Sequence, residues 1–139
     1  MTTGDQAPPT RTTGTNAMAY DKNNVFAKIL RGEIPCDKVY EDKTVLAFRD
    51  INPQAPTHVL VVPRGEYASM DDFAEKASDA EIAGLFRAVG KIAREQGVVE
   101  SGYRFLANCG RDAHQEVQHF HVHVFAGRDL GGMIRRPPA

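Results

Sequence analysis

Apolar and polar positions along the chain become periodic at Asn24. Val25, Phe26, Ile29 and Leu30 fall at helical spacing before Gly32 and Pro35 stop the run, which predicts a short first helix. Two β-rich pieces follow, Lys38 to Glu41 and Thr44 to Arg49, separated by Asp42 and Lys43 in a spacing suited to a tight hairpin. The stretch INPQAPT carries Pro53 and Pro56 and reads as a stiff loop, because proline fixes φ and biases its predecessor away from helix. It delivers the chain into HVLVVP, a run fit for a buried strand. The best-marked element runs from Asp79 to about Gln96. Ser78 is placed as its N-cap with Glu81 three residues on, a capping box, and Gly97 ends it. Ile82, Leu85, Phe86, Val89, Ile92 and Ala93 form one apolar stripe that should cover a sheet face. Tyr103 to Ala107 and His119 to Phe125 read as two further strands joined by the polar loop NCGRDAHQEVQ.

Residues 1 to 20 show no such pattern. They are rich in Thr, Gly, Pro and Asn and have no apolar face to offset their ordering entropy, so they are expected to form a disordered extension. Met18 offers an alternative start, which would make the preceding stretch an appended leader. Residues 21–139 are expected to form a single domain, since a chain of 139 residues suffices for one core and hardly for two. Seventeen basic and 18 acidic side chains nearly cancel, so no global field favours nucleic acid or an anionic membrane. Any phosphate binding must be local. No secretory pattern and no span of about 18 apolar residues is visible, which leads to the expectation of a cytoplasmic protein with no membrane partner. Cys36 and Cys109 are accordingly read as reduced thiols, and Cys109 as a small buried or half-buried filler rather than a second nucleophile.

The segment HFHVHVF carries the chemistry. On a strand, His119, His121, His123 and Phe125 share one face while Phe120, Val122 and Val124 share the other. Histidines two apart on such a face stand roughly 6.8 Å from one another, so two imidazoles flank one phosphoryl group. An unperturbed pKa near 6.5 lets one ring attack neutral while its neighbour carries a proton. A single histidine is more often a hydrogen-bonded packing residue than a reactive one; three in strict alternation with apolar residues point to chemistry. The rival is zinc, held by two of these rings with a third from His58 or His114. Against it, the neighbourhood offers no thiolate pair and no acidic triad, so a site without metal or organic cofactor is expected and zinc is the lesser alternative.

The pattern His119-Phe-His121-Val-His123-Val-Phe resembles the signature of the histidine triad proteins, and the resemblance extends from Phe26 to Arg128. The chain is most similar to the Hint branch, the nucleoside phosphoramidate hydrolases. FxKIxRGEIP at 26–35, DINPQAPTH at 50–58, Asn108, Gln115-x-Val117 and the AGR after the last strand match in order. The resemblance implies that His121 is the nucleophile toward an α-phosphorus, that His123 hydrogen-bonds the phosphate, and that His119 and His58 support them from behind. It implies that Asp50 accepts from the ribose hydroxyls and that Asn108 lies near ribose and phosphate. It assigns Phe26, Ile29, Ile34, Phe48 and Ile51 to the purine wall, and the Gln115-Glu116-Val117 stretch to nucleotide binding.

Two departures bear on the chemistry. Many relatives have serine where this chain has Glu116, and glycine where it has His114; Glu66 also stands where some carry histidine. A Glu116 carboxylate beside a phosphate would oppose binding, so its side chain is expected to turn toward solvent or toward Arg111 or Arg104. The fold expected is α+β, a HIT-like antiparallel sheet of about five strands with one long and one short helix, and by resemblance a homodimer. The reaction expected is hydrolysis of a purine nucleoside 5′-phosphoramidate to AMP and amine through a nucleotidyl-histidine. The alternatives are a dinucleoside polyphosphate hydrolase and a purine nucleotide-binding or interaction protein with little turnover.

Overall fold

The computed structural model describes residues 19–134. The expected extension and the candidate start at Met18 lie outside them, except Ala19 and Tyr20, and Tyr20 packs onto the domain. In chain order the elements are α1 (Val25–Leu30), β1 (Lys38–Glu41), β2 (Val45–Arg49), β3 (Thr57–Pro63), α2 (Met70–Lys76), α3 (Asp79–Glu95), β4 (Tyr103–Leu106) and β5 (Val122–Ala126). The five strands form one antiparallel sheet in the order β1-β2-β3-β5-β4, so the α+β expectation holds.

Both sheet faces are covered. Val45, Ala47, Val59, Val61, Val122 and Val124 point to one face and pack against Leu85, Val89 and Ile92 of α3. The side chains between them, Leu46, Phe48, Leu60 and Val62, point to the other and meet Phe26 and Ile29 of α1. This explains why β3 reads as a continuous apolar run: six of its seven residues are buried. The same alternation sends His58 and His123 to the α1 face, where Leu60 pairs with His123 and His58 with Phe125.

The capping box of α3 is present, with Ser78 and Glu81 satisfying each other's backbone N–H groups. Its interior Gly84 lets the helix lie against the hairpin, since a Cβ there would stand 2.7 Å from the Thr44 hydroxyl. Phe86 departs from the expected stripe. It lies at the stripe's edge and is 55% exposed, meeting Phe105 edge to face across a groove.

One further helix and one strand boundary also differ from the expectation. The sequence pattern gave no hint of α2, because this short helix buries only Phe73 and so has no stripe; Ser69 caps it and Phe73 stacks on Phe120. The last strand begins at Val122 rather than His119. Its ladder with β3 runs out where Pro63 has no N–H to give, and the Phe120 N–H turns instead to the Tyr67 carbonyl at 2.7 Å.

Candidate active site

The α1 face of the sheet, α1 itself and the loops after β2 and β4 enclose a cleft of about 660 Å³. Phe26, Ile29, Ile34, Phe48 and Val117 form its apolar wall, with Cys36 among them. Ile51, expected in that wall, stands on the rim and is 99% exposed, because the β2–β3 ladder ends at Asp50 and the loop carries Ile51 outward. Asp50, His58, Asn108, Glu116, His121 and His123 supply the polar lining, and His114 reaches the same rim.

Hydrogen bonds assign a tautomer to each ring. The Gln54 N–H donates to His58 Nδ1 at 3.1 Å, so the His58 proton is on Nε2. That Nε2–H donates to His123 Nδ1 at 2.9 Å, which leaves His123 with its own proton on Nε2, a donor for the cleft. His121 Nδ1–H donates to the His119 carbonyl at 2.7 Å. Its Nε2 therefore carries the lone pair. The His121 and His123 rings stand 5.1 Å apart, and Phe125 stacks flat on His123. One ring offers a nucleophilic nitrogen and its neighbour an N–H donor.

Burial holds all four rings below the usual imidazole range. It is the largest cause for His58, His119 and His121, and it presses His123 down to about 4, aided by His121 and His58 nearby. The expectation that one ring carries a charge is thus not met in the free protein. Donor and nucleophile are both neutral, and they are set apart by tautomer rather than by charge.

His119 does not face the cleft. It is fully buried, its Nε2–H donating to the Pro63 carbonyl at 2.8 Å and its Nδ1 accepting from the Tyr20 hydroxyl at 2.6 Å. Gln115 is also turned away from the cleft. Its side-chain oxygen accepts from Gly110 N–H and its amide donates to the carbonyls of Ala68 and Val117, so it braces the loop instead of lining the cleft. The brace leaves His114 and Glu116 on the rim, His114 in the left-handed region at φ 59. Glu116 is exposed, as expected, but neither named arginine holds it: Arg104 donates to the Gly131 carbonyl and Arg111 to Asp112. Cys109 is exposed rather than a buried filler.

Asp50, His58 and His123 bring ligand atoms within 4.8 Å of one another, the one such group among the described residues. His114, the other imidazole considered for zinc, is not part of it. A cation there would compete with the proton that His58 Nε2 shares with His123, because His58 Nδ1 is already occupied by the Gln54 N–H. The Asp50 carboxylate lies 3.5 Å from that same His58 Nε2. No helix among the described residues is long and apolar enough to cross a membrane.

An antiparallel α+β domain with a lone-pair imidazole and a donor imidazole in one half-apolar cleft defines a small-molecule site built on histidine. Comparison with known proteins gives it a family. The HIT domain profile matches residues 31–130. An uncharacterized 13.2 kDa HIT-like protein of Azospirillum brasilense is 67% identical over 86% of this chain and 98% of its own length. The purine nucleoside phosphoramidase of Escherichia coli K12 is 42% identical over 81% of this chain and 94% of its own. The HIT family hydrolase of Clostridium thermocellum superposes with a TM-score of 0.75 at 40% identity, covering 82% of this chain and 98% of that one. The chain belongs to the histidine triad family.

Proposed function

We propose that the protein is a hydrolase of the Hint branch that cleaves purine nucleoside 5′-phosphoramidates. The observation that carries this reading is the fixed proton pattern of the cleft: His121 Nε2 has a lone pair while the adjacent His123 Nε2 has a proton. In the reaction, His121 Nε2 attacks the α-phosphorus and the P–N bond breaks, the electron pair leaving with the amine, which takes up a proton from solvent to balance the one that the attacking water later releases. Water then attacks the nucleotidyl-histidine, and the N–P bond breaks to return neutral His121 and release the nucleoside monophosphate. The His123 N–H donates to a phosphate oxygen as its charge grows. Asp50 accepts from the ribose hydroxyls, Asn108 lies beside ribose and phosphate, and Phe26, Ile29, Ile34 and Phe48 enclose the purine. No metal or organic cofactor takes part in this route. The 42% identical phosphoramidase supports the choice of substrate.

The proposed assembly is a homodimer. Among the described residues, strand β4 has no partner on its outer side, and the exposed Phe86 and Phe105 meet beside it, so a second copy of the chain would cover both. A single-turnover assay with a labelled adenosine 5′-phosphoramidate tests the activity. Release of amine and AMP supports it. Cleavage of a dinucleoside polyphosphate alone, or tight binding with no release, would replace it with one of the two alternatives.

A further inference from the structure

Behind the segment that bears His121, on the side away from the cleft, His119 is enclosed by protein, yet its two ring nitrogens need partners. The Pro63 carbonyl only accepts, so the bond to it places the His119 proton on Nε2 and leaves a lone pair on Nδ1. The hydroxyl of Tyr20, 99 positions earlier in the chain, donates onto that lone pair, and the two rings meet edge to face at 5.6 Å. The segment carrying Tyr20 is tied down. Arg31 donates to the Lys22 carbonyl, the Asn24 amide donates to the Asp21 carbonyl, and Lys22 lies 4.0 Å from Glu66 on the loop after β3.

We propose that Tyr20 is a positioning residue for the nucleophile, locking His119 in its Nε2–H tautomer and so holding the His119 carbonyl that takes the His121 Nδ1 proton. This rests on His121 being the nucleophile. The segment from His119 to His121 is pinned by the His119 ring on Pro63, by Phe120 N–H on Tyr67, and by His121 on the His119 carbonyl. With no donor at Nδ1, the His119 ring has a buried unpaired acceptor and three ways to relieve it: ring rotation, the other tautomer, or protonation. The first two give up the Pro63 bond, and the third places a charge in a buried niche. Once the carbonyl turns, His121 is free to move its proton to Nε2, and that form cannot attack.

Three ionisable groups face His119: Tyr20 from the N-terminal segment, Glu66 from the loop after β3, and His121 from its own segment. Lys22 offsets Glu66, and Arg31 lies near Tyr20; Phe26 and Pro63 complete the niche without charge. Burial pushes the Tyr20 phenol up, which keeps it a donor.

The test is Tyr20→Phe in the full chain, with two readouts. Imidazole nitrogen NMR of the free protein should show His119 as a single Nε2–H tautomer in the wild type and as a mixture in the variant. AMP affinity should stay within about twofold, while the single-turnover rate falls about five- to tenfold, the worth of one neutral hydrogen bond. The acid limb of the rate should also move to higher pH, because loss of the donor at Nδ1 makes that nitrogen easier to protonate. An unchanged tautomer in the variant overturns the proposal, whether or not the rate falls, since a slower enzyme with wild-type NMR would make Tyr20 a packing residue only. Unchanged rates at every pH overturn it as well. If the wild type does not cleave phosphoramidates, the functional reading fails while the NMR still decides the role of Tyr20.

Discussion

The imidazoles of His58 and His123 meet Nε2 to Nδ1 at 2.9 Å, and the Gln54 N–H on the far side of His58 decides which of them donates. A backbone amide in the loop after β2 thus sets the proton that His123 presents to the cleft. His58→Ala should leave His123 free to place its proton on either nitrogen. Turnover should fall about tenfold or more, with a smaller effect on AMP affinity, as expected when a group that orients a reacting ring is lost. Equal kcat in variant and wild type would show that His123 needs no such partner.

Acid should destabilise this fold early. A histidine held neutral in the folded state binds its proton first in the unfolded chain, so its contribution is complete above the unfolded pKa near 6.5 and is lost as pH falls toward the folded value. For His123 that window runs from about 6.5 down to about 4, and His58, His119 and His121 act in the same direction. The melting temperature should drop steadily across this range, and His123→Asn should flatten part of the drop. A melting temperature constant from pH 7 to 4.5 would contradict the buried neutral cluster.

Glu116 lies on the rim, held by neither Arg104 nor Arg111, and close enough to His121 to oppose the lowering of its pKa. Its exposure screens it from a bound phosphate, so Glu116→Gln should keep kcat/KM within about threefold of wild type or raise it. A collapse confined to substrates with the most basic amines would instead make Glu116 the acid that protonates the leaving group.

Phe105→Glu should yield a folded monomer in light scattering, because it puts a charge between the exposed Phe86 and Phe105 beside the open edge of β4. A variant that remains dimeric would move the interface elsewhere.

The long elements could be read from the sequence because their signals are local. Ser78, Glu81 and Gly97 bracket α3 by hydrogen-bond chemistry that spans three or four residues, and the apolar run of β3 follows from being covered on both faces. Alternation on a strand and a matched motif singled out His58, Asp50, His121 and His123, and these four side chains line one cleft. What sequence could not show depends on partners far along the chain. His119 shares the alternation of its neighbours, yet Pro63 ends the ladder and turns it inward. Gln115 sits in the matched stretch, but its amide is consumed by Ala68, 47 positions away. Tyr20 stands at the end of a stretch with no periodicity and carries no signal of its contact with His119.

In the proposed route His121 Nε2 makes the covalent bond to phosphorus. The direct measurement is rapid acid-free quenching of the wild-type protein with adenosine 5′-phosphoramidate, followed by intact mass and peptide mapping. An adenylyl group on His121 and on no other residue, formed and lost at rates consistent with turnover and absent in His121→Ala that still binds AMP, is the predicted result. Turnover without any adduct, an adduct on His123 or Cys36, or near-normal hydrolysis by His121→Ala would contradict a His121 nucleophile.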